Sequence, residues 1–107
     1  METVSPQTHN RQVNLPGNLL QQIVSVLRKY LDPNRIIIYG SRARGDHDER
    51  SDIDIAVDHP RTKRLFLQEA EQEIPTLLRI DIVDLDEASE ALRREIAKEG
   101  VVIYGKA

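Results

Sequence analysis

The sequence contains no cysteine and no tryptophan. The first absence excludes disulfides, thiolate zinc sites and cysteine nucleophiles together. Aromatic residues are scarce, three Tyr and one Phe among 107 residues, so a core must be built from Ile, Val and Leu. No run approaches the ~20 apolar residues that a membrane helix needs. The opening segment METVSPQTHNRQVN has no apolar stretch. It is therefore not expected to act as a secretory signal, and the cytoplasm is the expected location. Neither a Walker A sequence nor a dinucleotide-type glycine motif is present. Positive charge is not in excess either. Lys and Arg number 15 against 18 Asp and Glu, a net charge of -3. That balance argues against a long nucleic-acid duplex as partner, and neither stable nucleic-acid binding nor membrane association is expected.

What is present is a charge-rich globular composition, 39% hydrophobic and 31% charged. A chain of this length buries about two-thirds of its unfolded surface, enough for one core. A second substrate-binding domain has no room. Residues 1–14 are polar and aperiodic and read as a flexible tail, with one domain over 15–107.

Hydrophobic spacing organises the domain. Leu19, Ile23 and Leu27 recur at helical intervals beside Leu20, Val24 and Leu31. Pro16 suits the first helical turn, and Asp32-Pro33-Asn34 stops the helix. Ile36-Ile37-Ile38-Tyr39 is a β-branched run, read as a strand covered on both faces. Ser51–Val57 and Arg79–Leu85 alternate as strands, and between them Arg64–Glu73 predicts a helix carrying Leu65, Phe66 and Ala70. Asp86 is the expected N-cap of a helix through Ala91, Leu92 and Ile96, and Gly100 its C-terminal cap. Val101–Tyr104 closes the chain as a strand, read as an inner one. The fold class is α/β (α+β): a small mixed β-sheet flanked by helices.

Two short motifs carry candidate chemistry. Asp52 and Asp54 stand two apart on one strand, so their Cα atoms lie about 6.6 Å apart on one face. Such a pair can share hard cations, because carboxylate oxygens suit magnesium. Without cations the two charges repel. For Asp-x-Asp alone, the default reading is a solvated strand face. A calcium loop fails for want of the required glycine and glutamate. Gly40-Ser41 follows an apolar strand. Glycine lets backbone approach a phosphate and Ser41 adds a hydroxyl, although most such pairs are plain turns. His9, His47 and His59 lack any metal-ligand spacing.

The combination is more specific than either motif. Gly40-Ser41 is followed by ten residues and then Asp52-Ile53-Asp54. This pattern resembles the polymerase-beta type nucleotidyltransferases. The fuller segment IIIYGSRARGDHDERSDIDIAV is similar to the minimal nucleotidyltransferases (MNT), small partners of HEPN proteins in toxin–antitoxin pairs. The resemblance extends from about Leu19 to Tyr104. It departs at Tyr39, where that family most often has Phe.

The resemblance implies a polymerase-beta-like fold and two magnesium ions held by Asp52, Asp54 and a third carboxylate. Asp81 is the expected third ligand, with Asp84 on the opposite strand face. Gly40 and Ser41 would hold the triphosphate of ATP, and Arg42 would touch its phosphates. Arg44 is a weaker candidate for that contact. Arg50, Lys63 and Arg64 read as solvated charges. The implied reaction moves AMP to a hydroxyl, by resemblance a tyrosine of a HEPN-type toxin, which makes this chain the antitoxin. The alternative is a non-catalytic antitoxin that neutralises its partner by occlusion. A nucleic-acid polymerising enzyme would need a basic template groove, for which the charge balance gives little support.

Overall fold

The computed structural model describes residues 13, 15, 18–61 and 67–106. Apart from Val13, the expected tail lies outside them, as do Pro16, Lys63, Arg64, Leu65 and Phe66. Val13 and Leu15 pack half-buried against the core.

Helix α1, Leu19–Leu31, presents Leu19, Ile23, Leu27 and Leu31 along one buried stripe. It ends at Asp32, whose left-handed conformation (φ 45°) turns its N–H back to the carbonyls of Leu27 and Arg28. Strand β1, Arg35–Tyr39, follows, then the single-turn α2, Ser41–Arg44. Strand β2 spans Ile53–Asp58 and helix α3 Leu67–Glu73. Strand β3, Ile80–Asp84, runs into a 3-10 turn at Leu85–Glu87. Helix α4, Glu90–Glu99, and strand β4, Val101–Gly105, complete the order.

The strands form one mixed sheet in the order β3-β2-β1-β4. β1 is antiparallel to β2 and β4, whereas β2 and β3 are parallel. Strand periodicity sorts the side chains into two layers. Ile36, Ile38, Ile53, Ile55, Val57 and Ile82 pack with α1 and with Ala70 and Ile74. Ile37, Tyr39 and Ala56 pack with Ile96 and with Val83, Leu85, Leu92 and Val102 on the α4 side. β1 is thus covered on both faces, as its unbroken apolar run requires.

Two expectations change. β4 is an edge strand, not an inner one. An apolar run reports that both faces are covered, here by Tyr104 on the α1 side and Val102 on the α4 side. It says nothing about the hydrogen-bonding edge. The N-cap of α4 is Ser89, whose hydroxyl accepts from Leu92 N–H at 3.1 Å. Asp86 lies in the preceding 3-10 turn. Among the described residues, no helix is long and apolar enough to cross a membrane.

Candidate active site

The site begins where β1 ends. Gly40 takes φ 78°, a left-handed conformation that side chains rarely tolerate. A second constraint is spatial. A Cβ at Gly40 would lie 2.4 Å from Asp54 Oδ2. The missing side chain is therefore the space that the Asp54 carboxylate fills, and bend and acid are in contact. Ser41 opens the α2 turn, which Gly45 closes at φ 92°.

The sheet register supplies the acidic row. Tyr39 pairs with Asp54 across β1 and β2, and Asp54 pairs with Asp81 across β2 and β3. Paired residues on adjacent strands point to the same face, with Cα atoms about 5 Å apart. Asp81 therefore shares a face with Asp54. Asp84, three residues on, has the opposite parity. Its carboxylate caps the 3-10 turn by accepting from Asp86 N–H at 2.8 Å.

An open cleft of about 560 Å³ collects Tyr39, Gly40, Ser41, Asp52, Asp54 and, from α4, Glu95. Burial pushes the Asp54 carboxyl above its usual range, and the charges of Asp81 and Asp52 add to the effect. Arg44 acts in the opposite sense. Burial, then Asp54, Asp81 and Glu95, push the Tyr39 phenol up to about 12. Asp81 is exposed and borders a neighbouring depression shared with Glu71 and Arg79. Burial and the Asp81 charge raise the Glu71 carboxyl as well. Among the described residues, no group of three His, Asp or Glu side chains is arranged to hold a metal ion. Like charges in one row repel, and this adds to the effect of burial in raising Asp54. The donor set nonetheless fits a hard divalent cation: only carboxylate oxygens, two of them from adjacent strands in register.

The arginines divide differently from expectation. Arg42 is 4% exposed. Its guanidinium donates to the carbonyls of Ser51, Asp48 and Glu49 at 3.2, 3.4 and 3.3 Å. It holds the 45–51 loop, which Asp48 stiffens further by accepting from Arg50 N–H at 2.8 Å. These bonds give Arg42 a loop-holding role. Arg44 and Arg50 line the cleft instead. His59 lies outside it and meets Asp86 at 3.1 Å.

Sequence reasoning missed Glu95. Ile96 faces the sheet and Glu99, one turn after Glu95, meets Arg44 at 2.9 Å. Helical periodicity alone could have put Glu95 and Glu99 on one stripe. Only the topology shows that this stripe borders the cleft.

Comparison with known proteins bears on this arrangement directly. The sequence pattern of the family described as polymerase beta, nucleotidyltransferase, matches residues 21–107. The chain belongs to this family. Two similar solved structures are chains of toxin–antitoxin complexes. One complex was crystallised with AMP-PNP; its chain superposes with a TM-score of 0.70 at 28% identity, covering 81% of this chain and 73% of its own. The other is a tri-AMPylated HEPN toxin from Shewanella oneidensis in complex with an MNT antitoxin. Its TM-score is 0.64 at 25% identity, over 82% of this chain and 71% of its own. A protein of Methanocaldococcus jannaschii, provisionally named a protein adenylyltransferase, is 46% identical over 37 residues. That match spans about a third of each chain, 35% of this one and 35% of its relative.

Proposed function

We infer that this nucleotidyltransferase-family chain moves AMP from ATP to a tyrosine hydroxyl of a HEPN-type partner toxin in the cytoplasm, and so acts as its antitoxin. The observation that carries this reading is the register of Asp54 with Asp81 beside a Gly40 bend that Asp54 itself fills. The relatives bound to AMP-PNP and to an AMPylated HEPN toxin supply the substrate and partner classes.

In this reading Asp52, Asp54 and Asp81 are the catalytic carboxylates and the holders of magnesium, two ions by family resemblance. Bound magnesium would offset phosphate charge and lower the acceptor hydroxyl's pKa. The chain's own residues do the rest. Gly40 and Ser41 line the cleft in which the triphosphate would lie. The carboxylates would act on the α-phosphate through the cation they hold, since on their own they repel it. Asp81, exposed and in register with Asp54, would take the acceptor proton. The acceptor arrives on the partner, and its oxygen bonds to the α-phosphorus as the bond to pyrophosphate breaks.

The test mixes the chain, the product of the neighbouring gene and ATP labelled in the α-phosphate, with magnesium. Label should appear on a partner tyrosine and vanish with Asp54→Asn. Tight complex formation without label at any magnesium concentration would overturn the catalytic reading in favour of occlusion.

A further inference from the structure

We propose that Leu77 and the depression beside Asp81 form the surface on which the partner protein carrying the acceptor hydroxyl docks. This rests on the AMP-transfer reading and deepens it to a docking surface. Among the described residues, Leu77 is the large apolar side chain that the fold leaves fully exposed. A lone exposed leucine is ordinary on a protein surface. This one is set apart by where it sits, in the loop between α3 and β3. Ile74 before it is buried, and Leu78 after it packs against the core. Thr76 N–H donates to the Ile74 carbonyl at 2.8 Å, and Leu78 N–H donates to the Thr76 hydroxyl at 3.1 Å. The loop is thus pinned from both sides and by its own turn bonds, and Leu77 is held outward between the two anchors.

The same loop walls the depression of about 390 Å³ that Asp81 borders, through Thr76, Leu78 and Arg79. β3 is the edge strand on this side of the sheet, so among the described residues no further strand closes the approach. The row of Tyr39, Asp54 and Asp81 gives the direction of entry. Its β1 end carries the Gly40-Ser41 bend, where the triphosphate would lie. In an in-line displacement the entering oxygen stands opposite the leaving pyrophosphate. The acceptor therefore enters from the Asp81 end, beside the loop that presents Leu77. Charge narrows the partner further. Glu69 and Glu71 of α3 make no ion pair with the described residues, and Arg79 is the single cation among those lining the depression. A protein surface that offers an apolar side chain to Leu77 and a basic one beside its hydroxyl complements this rim.

The test measures initial rates of label transfer from ATP to the product of the neighbouring gene, over a range of partner concentrations at saturating ATP and magnesium. Leu77→Glu places a charge at the contact and should raise the partner's KM by about tenfold. Leu77→Met keeps an apolar side chain of similar size and should stay within about twofold of the wild type. Because Leu77 touches no core residue's place, both variants should melt with the wild type and bind ATP as tightly. An unchanged partner KM in Leu77→Glu overturns the docking assignment, and so does a loss of ATP affinity as large as the loss for the partner. Wild-type self-association that Leu77→Glu abolishes, with partner labelling unchanged, assigns the surface to a second copy of this chain and overturns it as well. No label from the wild-type chain overturns the AMP-transfer reading and the assignment with it. Label that ignores Leu77 overturns the assignment alone.

Discussion

At the scale of the residue, Asp54 is the most constrained side chain in the site. It fills the space that Gly40 leaves, and it faces like charge from Asp81 and Asp52. Its folded-state pKa lies above the unfolded value, so the stability tied to its protonated form is complete below pH 3.8 and is lost as pH rises through the raised value. At neutral pH the ionised group opposes folding of the ligand-free chain. Asp54→Asn should therefore raise the melting temperature by a few degrees while abolishing transfer, and a lower melting temperature would contradict this. Gly40→Ala meets both a left-handed backbone and the Asp54 carboxylate. It should cost about 2 kcal/mol in denaturant unfolding and abolish ATP binding. Tyr39 gives a third check. With its phenol at about 12 against 10.0 unfolded, stability tied to the neutral ring is lost between pH 10 and 12. Melting temperature should fall more steeply across that interval in the wild type than in Tyr39→Phe.

At the scale of the element, legibility depended on whether a signal was local. Helix α1, the β1 run and the alternation of β2 were readable because side-chain period follows backbone geometry. The same parity separated Asp81 from Asp84, and the register agrees. Arg42 was placed ahead of Arg44 as the phosphate contact, and the motif could not show that the path of the 45–51 loop takes up the Arg42 guanidinium. The α4 cap was misplaced for a related reason. Asp86 and Ser89 are both good caps, and a 3-10 turn uses the intervening residues. The loop assignment makes its own prediction. Arg42→Met removes guanidinium bonds to three carbonyls and should speed proteolytic cleavage between residues 45 and 51 several-fold. Unchanged cleavage would mean the loop is held without Arg42.

At the scale of the whole molecule, the two faces of the sheet divide the work. One face is packed by α1 and α3 and carries most of the core. The other carries α4, a smaller core and, at the β1 end, the cleft with Asp54 and Glu95. The parallel β2–β3 pair matters because it brings Asp81, distant in sequence, into line with Asp54. That long-range pairing is what short motifs could not supply and what the family resemblance anticipated. The central claim is that this one cleft holds a nucleotide together with a divalent cation. It is tested most directly by the melting temperature of the chain with ATP, in magnesium and in excess chelator. ATP at a hundredfold excess over Kd should add about 2.7 kcal/mol of stability in magnesium and almost none in chelator. Equal stabilisation in both solutions, or none in magnesium, would contradict the account.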